Sequence, residues 1–213
     1  MGMAPQSAHR EEWPIVDKRK KKSGKSGLRE DRRSARSRRA LSEAFVSLLL
    51  EKPYPRISIQ DIVDRADVGR STFYEHFENK EQLMLWGHDH IKDLILDGTG
   101  PSPEGVPSLR FLGLYRHLAA SPELARAVGR GPAGEIVSGF LRDTLRRNLE
   151  TQCSRAGAAM AAAGRARIAL LSEAAAAGLV AVLWRWVRDG MAETPEAMAS
   201  FCDGYLERIF GIR

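Results

Sequence analysis

The chain is poor in cysteine, with Cys153 and Cys202 the only two in 213 residues. Two thiols build neither a disulfide framework nor a four-cysteine zinc site, and such usage points to a reducing, cytoplasmic compartment. Long apolar runs are also missing. The most apolar stretch, Ala174 to Trp184, is 11 residues long and is closed by Glu173 and Arg185. A membrane span takes about 20, so no membrane partner is expected. The first residues are polar and basic, without the apolar segment of a secretory signal. No alternating run reads as a strand, and no repeat of solenoid period appears. No Ser, Cys or Lys comes with a base and an orienting group in an enzyme motif, so catalysis has no support. Two decoys fall away on geometry. Gly24-Lys25-Ser26 imitates a phosphate loop, but Arg19 stands where that loop needs its first glycine. His88, Asp89, His90 and Asp93 suggest a metal, but residues two apart on a helix point away from each other. Neither a metal nor a cofactor is expected.

What is present is ordinary for a globular protein, with 43% hydrophobic and 28% charged residues. The net charge of +6 is unevenly spread: residues 1–39 carry +8, residues 40–96 carry −4 and residues 97–213 carry +2. The basicity therefore belongs to an N-terminal arm. Such an arm fits a polyanion, either nucleic acid or an anionic membrane surface, or it serves as a solvated tail.

Residues 1–33 read as a disordered basic arm, with Lys18-Arg19-Lys20-Lys21-Lys22 and little apolar after Val16. From about Ser34 the pattern is helical. Leu41, Ala44, Phe45, Leu48 and Leu49 share one helix face, and Pro53 and Pro55 end it. Ser58-Ile59-Gln60-Asp61 is a capped start of a short helix that ends near Ala66. Asp67-Val68-Gly69 is a tight turn, Arg70 to about Phe77 a third helix, and Asn79 the cap of a longer helix to about Leu96. The loop from Gly98 to Gly105 marks a domain boundary. Beyond it, helices are expected over Leu109–Ala120, from a Ser121 cap, over Glu135–Gln152, over Arg165–Gly190 and from a Thr194 cap. Ala156 to Gly164 is helical turn or loop. The fold class is all-α, with an arm 1–33, a helix-turn-helix domain 34–96 and a helical domain 97–213.

Ile59 to Phe77 holds two short helices and a three-residue turn, which is helix-turn-helix spacing. Ala66 is small enough for the helix crossing, and Asp67 tolerates left-handed backbone. Val68, Phe73 and Phe77 hold the second helix down. The opposite face centres on Glu75, with Ser71 and Thr72 beside it, Tyr74 and His76 at the rims and Arg70 at the end. Arg70, Ser71, Thr72 and Glu75 are the candidate base readers for a major groove. The other reading is a helical hairpin with a solvated face.

The tract Ile62-Val63-Asp64-Arg65-Ala66-Asp67-Val68-Gly69-Arg70-Ser71-Thr72-Phe73-Tyr74-Glu75-His76-Phe77-Glu78-Asn79-Lys80-Glu81-Gln82-Leu83 resembles the DNA-binding domain of the TetR/AcrR family of transcriptional regulators. The likeness extends over Leu41 to Leu83. Asp67 stands where that family usually has Gly, Gly69 where it has Ser or Thr, and Lys52-Pro53 replaces the usual Gly before Tyr54. The resemblance implies a sequence-specific regulator, commonly a repressor released by a small-molecule effector. It further implies that Tyr74, His76 and Lys80 contact phosphates, although His76 equally suits packing beneath the helix. It makes the second half a domain for effector binding and dimerisation.

Trp86, Phe111, Tyr115, Leu118, Leu145 and Trp184 are the candidates for an apolar effector pocket, with Arg116 and His117 to orient a polar group. Each also suits plain helical core. The helix from Arg165 is apolar nearly all round and must be buried nearly all round. Leu179, Val182 and Trp186, with Phe201 and Tyr205 of the last helix, are therefore the candidate interface of a homodimer reading a palindromic operator in double-stranded DNA. The competing function is an architectural or scaffold helical protein, independent of any ligand, that holds nucleic acid or an anionic membrane surface through its arm.

Overall fold

The computed structural model describes residues 25–96, 100–101, 106–156 and 164–211, and among them every regular element is helical. Leu41, Ala44, Phe45, Leu48 and Leu49 are all buried along one side of the first helix, α1 (Lys25–Glu51). The helix stops where Pro53 removes a donor. It begins at Lys25 rather than near Ser34, so the nine residues 25–33 of the expected disordered arm are helical. Arg, Glu and Leu in this stretch are good helix formers, and α1 needs no new nucleus to extend through them. Residues 1–24, including the Lys18–Lys22 run, lie outside the described residues.

A single 3₁₀ turn at Tyr54–Arg56 leads to α2 (Ile59–Ala66), α3 (Arg70–His76) and α4 (Lys80–Gly87). The Ser58 hydroxyl accepts from the Asp61 N–H at 3.1 Å, and the Asp61 carboxylate accepts from the Ser58 N–H at 2.7 Å. This reciprocal box satisfies two donors that the helix start would otherwise leave open. Asn79 caps α4 with a single such bond, accepting from the Gln82 N–H at 2.8 Å. The long helix expected up to Leu96 is instead two, because His88 separates α4 from α5 (Asp89–Leu96). The His88 ring Nδ1 lies 2.7 Å from the Met84 carbonyl, where it competes with the backbone ladder next to Gly87.

The remaining helices are α6 (Phe111–Ala120), α7 (Pro122–Val128), α8 (Gly131–Arg155), α9 (Arg165–Arg188) and α10 (Pro195–Phe210). Helix α8 starts four residues before the expected Glu135, with Pro132 in its first turn. Thr194 caps α10 as expected, accepting from the Ala197 N–H at 3.2 Å. Ser121 does not cap α7: its side chain makes no bond to the first turn. Most of the expected loop Gly98–Gly105 and most of Ala156–Gly164 lie outside the described residues.

One apolar core runs without a break from Leu41 to Phe210. Helix α1 packs on α2 and α4 and also on α7, while α9 lies along α8 and α10 along α6. The first helix is thus shared by both halves of the chain. By length and composition α9 would reach across a membrane. In the fold one side of it faces the core, with Ala175, Ala176, Leu179 and Leu183 buried against its neighbours. Gln152, itself buried, accepts from the Ser108 N–H at 2.9 Å and donates to its carbonyl at 2.8 Å, which fixes the segment before α6 onto α8.

Ser58→Ala removes one half of the box at the entry to α2. It is expected to cost about 1 kcal/mol and to lower the melting temperature by about 2–4 °C in a chain of this size. Thermal unfolding followed by circular dichroism measures this; an unchanged midpoint means that the cap does not hold α2.

Candidate nucleic-acid interface

Helix α3 is seven residues long and carries no side-chain cap. A helix this short is not stable by itself, so its position depends on what it buries. Phe73 and Phe77 are buried one turn apart, with ring centroids 5.9 Å from each other, and Phe77 meets the edge of Trp86 at 5.7 Å. Between α2 and α3 the turn rests on Asp67, at φ 51° and ψ 49°, and on the Val68 N–H donating to the Val63 carbonyl at 3.1 Å. Asp67 therefore takes up the left-handed backbone that the spacing demanded. Helix α2 is fixed to α1 by Arg65, which donates to both carboxylate oxygens of Glu51 at 2.7 and 2.8 Å and to the Ser47 hydroxyl at 2.7 Å.

With Phe73 and Phe77 inside, Arg70, Ser71, Tyr74 and Glu75 are exposed and Thr72 is half-buried. The Arg70 guanidinium lies over the Tyr74 ring at 5.7 Å and approaches its hydroxyl at 3.4 Å. One polar face of α3 thus offers donors and acceptors of several kinds, the inventory that base edges require.

Two of the expected phosphate contacts sit differently. His76 is half-buried, with its ring 6.3 Å from that of Phe77. Burial, and secondly the nearby Arg38 charge, push its pKa below the ordinary histidine value, against a smaller opposing pull from Glu75. Both effects favour the neutral ring, which carries one N–H. Lys80 points inward. Its ammonium donates to the Tyr54 carbonyl at 2.9 Å and the Ile57 carbonyl at 2.7 Å, and it lies 4.3 Å from the centre of the Tyr54 ring. Partial burial lowers its pKa, with Asp61 opposing. Lys80 thereby ties the start of α4 to the 3₁₀ turn between α1 and α2. Carbonyls leave no trace in a residue pattern, so this cradle is not legible in the sequence. The same holds for Arg38, which lies 6.0 Å over the Trp86 ring.

The expected apolar pocket is present in part. A cavity of about 50 Å³ lies between α1, α4, α6, α7, α8 and α9. Leu118, Trp184 and His117 line it, whereas Trp86, Phe111, Tyr115 and Leu145 do not. Trp86 is taken up by Phe77 and Arg38. Tyr115 is fully buried, with its hydroxyl 3.3 Å from the Cys202 sulfur and its ring edge-on to Trp186 at 5.0 Å. Phe111 and Leu145 are filled-in core. Arg116 faces away from the cavity and pairs with Glu196 at 2.8 Å. Ser42, Phe45 and Val46 of α1 and Met84 and Gly87 of α4 are wall residues that the composition did not single out.

The candidate dimer face is likewise shifted. Leu179 and Trp186 are buried within their own chain and are not open to a partner, and Val182 is half-buried. Phe201 is half-exposed and its ring stacks beside that of Tyr205, with centroids 6.4 Å apart. The Tyr205 hydroxyl reaches the Ala174 carbonyl at 3.4 Å, and a side chain at Gly178 would collide with it. Leu170, Ala174 and Ala181 are exposed on the same helix. At about 100° per residue, the outward apolar stripe of α9, through Leu170, Ala174 and Ala181, therefore lies more than about a third of a turn from the face expected.

Residues 41–85 match the family model described as "Bacterial regulatory proteins, tetR family". Over 55 residues the chain is 47% identical to the HTH-type transcriptional regulator YxbF of Bacillus subtilis, covering 25% of this chain and 14% of that protein. Over 85 residues it is 34% identical to DhaS of Lactococcus lactis, the transcriptional activator of the dhaKLM operon, covering 38% of this chain and 46% of that one. The chain thus aligns with less than half the length of these curated relatives. A TetR transcriptional regulator from Streptococcus agalactiae has the same fold, with a TM-score of 0.58 at 21% identity over 86% of this chain and 99% of that one.

Lys80→Ala removes two charge-assisted bonds and exposes two carbonyls. It is expected to lower stability by about 1 kcal/mol, half-exposed as the group is. DNA affinity should fall equally on all sequences with the salt slope unchanged. Binding titrations at several salt concentrations check this; a slope smaller by about one counterion would place the ammonium on a phosphate.

Proposed function

We propose, from the premise that residues 41–85 are the DNA-binding domain of a TetR-family regulator, that this protein binds a palindromic operator in double-stranded DNA as a homodimer and controls transcription there in the cytoplasm. The observation that carries the reading is the seating of α3: Phe73 and Phe77 point into the core while Arg70, Ser71, Tyr74 and Glu75 stand out on the other side. A seven-residue helix spans few base pairs, and two copies related by a two-fold axis double the sequence read. In this reading Arg70, Ser71, Thr72 and Glu75 read bases. Tyr74 and neutral His76 position the helix by donating to phosphates, and Lys80 holds the fold beneath it.

A two-fold pairing through α9 and α10 would cover Leu170, Phe201 and Tyr205, the large apolar groups that this corner leaves open or half-open. The domain division at about residue 97 belongs to the same proposal, with the helices beyond it serving as dimerisation and effector-binding region. Repression relieved by a small apolar effector is the regulatory sense we favour, and the cavity is its support. The scaffold alternative has no comparable support, since it leaves a seated and exposed polar helix without a use.

Selection from random double-stranded sequences at physiological salt tests the core of the proposal. The expected product is a two-fold symmetric motif with half-sites about one helical turn, roughly 34–36 Å, apart. A preference without symmetry, or none, would sink it. Ser71→Ala or Glu75→Ala should change which bases are preferred, by about 1–3 kcal/mol for each bidentate pairing with a base that is removed. Phe201→Glu should give a monomer by sedimentation at micromolar concentration and, with it, loss of operator binding. A dimer that survives this change would move the interface elsewhere.

A further inference from the structure

A second opening lies between α5 and α8. Its volume is about 400 Å³, far above that of the apolar cavity, and the two share no wall residue. That volume lies within the roughly 300–1,000 Å³ of small-molecule sites. Lys92 and Leu96 of α5 form one wall, and Phe140, Thr144 and Asn148 of α8 stand on the other. These three are four residues apart, so they lie one above another along a single helix face. At 1.5 Å of rise per residue that face is about 12 Å long.

A helix face turned toward a neighbouring helix is ordinarily apolar. This one carries a hydroxyl and an amide, and the bonds around them decide what each can still offer. Gln152 accepts from the Ser108 N–H and donates to the Ser108 carbonyl, which fixes the sense of its amide. Its nitrogen donates to the Asn148 oxygen as well, at 2.6 Å. With that oxygen occupied, the group that Asn148 can present to a molecule in the groove is its N–H₂, a donor. Ser138, Thr151 and Ser154 of the same helix each donate to the carbonyl four residues back. Thr144 makes no such bond among the described residues, so its hydroxyl is not spent on the backbone.

The charges are sorted in the same sense. The Lys92 ammonium lies 4.8 Å from the centre of the Phe140 ring, on the wall of the groove. Asp143 is the one acid among the lining residues, and both of its oxygens are engaged, one by Arg146 at 2.7 Å and the other by Arg147 at 2.8 Å. An ammonium ion entering the groove would therefore meet Lys92 without an open carboxylate to receive it. A carboxylate, by contrast, finds a cation and two neutral donors, the combination that makes short charge-assisted bonds. Leu96 and Phe140 add apolar surface beside them.

We propose that the groove between α5 and α8 binds a small organic carboxylate, its anionic end received by Lys92, Thr144 and Asn148 and its apolar part lying on Leu96 and Phe140. The assignment is independent of the DNA-binding reading and of any effector in the apolar cavity.

The test uses the full chain labelled with ¹⁵N, titrated with hexanoate and, at matched length, with hexylammonium and 1-hexanol. Binding is read from the resonances of the Asn148 side-chain N–H₂ and the Thr144 backbone N–H, which separate this groove from the apolar cavity. Hexanoate is expected to shift both in a saturable way, and the cation and the alcohol to act about ten-fold more weakly there. Lys92→Met keeps most of the apolar stem over Phe140 and removes the charge. It should weaken hexanoate about five- to ten-fold with the melting temperature unchanged, whereas Lys92→Arg should retain binding. Asn148→Asp keeps the oxygen that Gln152 uses and replaces the donor by a negative charge, so it too should weaken hexanoate. Shifts confined to the apolar cavity, equal action of hexylammonium or 1-hexanol at the two resonances, or undiminished hexanoate binding by either weakened variant would overturn the assignment. Operator selection is measured separately, and its failure would sink the regulator while leaving the groove assignment standing.

Discussion

Helix α3 has seven residues, no side-chain cap and most of its polar groups in water, so the burial of Phe73 and Phe77 decides where it lies. Each ring contributes roughly 1.5–3 kcal/mol on burial, more than any one of the helix's few hydrogen bonds at about 0.5–1.5 kcal/mol net. Because these two rings occupy one side, the orientation of Arg70, Ser71, Tyr74 and Glu75 follows without further adjustment. The reading face is thus a by-product of core packing. A change in either phenylalanine would rotate or release the whole set of candidate base readers while touching none of them.

The same logic explains the use of cations in this part of the chain. Residues 40–96 carry a net −4, and several of their few basic groups are spent on the fold. Lys52 pairs with Asp61 at 2.8 Å, Arg65 with Glu51 at 2.7 Å, and Lys80 with two carbonyls. The Lys52 ammonium, followed by the Ser58 hydroxyl and N–H, holds the Asp61 carboxyl well below the usual carboxylate range. A carboxyl lowered in this way contributes its stabilisation above its unfolded pKa and loses it as the pH falls through the folded value. The Asp61 contribution at the entry to α2 is therefore present at neutral pH and is lost progressively as the pH falls below the ordinary carboxylate pKa.

Legibility follows the locality of each interaction. The Ser58–Asp61 box, the left-handed Asp67 and the burial of Phe73 and Phe77 each depend on residues within a few positions of one another, and each is readable from the residue pattern alone. Contacts that join distant segments are not. Lys80 meets backbone 23 and 26 residues away, and no residue type announces a carbonyl. Helix periodicity marks α9 as apolar all round but does not rank its faces. Which face meets α8 depends on side-chain shape, and the bulky Leu179 and Trp186 go inward with Ala175 and Ala176, while Leu170, Ala174 and Ala181 stay outside. The aromatic residues expected in a pocket fail for a related reason. Large rings are the groups that fill space best, so Phe111 and Tyr115 become core, and the space left over lies near Gly87 and Ala125, walled also by Phe45, Met84 and Trp184.

The charge distribution finally constrains how the reading face can meet a polyanion. With Lys52, Arg65 and Lys80 committed and Lys92 lying 4.8 Å over the Phe140 ring, Arg56 and Arg70 are the exposed cations left between residues 40 and 96. Two cations do not neutralise the phosphates that a groove-bound helix approaches. Arg32, Arg33, Arg36 and Arg39 are exposed along the first half of α1, and the first two of them precede Ser34, from about which an ordered helix was expected. The extension of α1 back to Lys25 therefore has an electrostatic consequence beyond its length. It converts part of a free basic arm into a rigid row of guanidinium groups on the helix that also packs against α2 and α4. A rigid row surrenders less conformational freedom on binding than a free arm of equal charge. On the proposed reading, base choice is left to the mixed face of α3, and the salt-dependent part of the affinity falls to α1 and the basic residues before it.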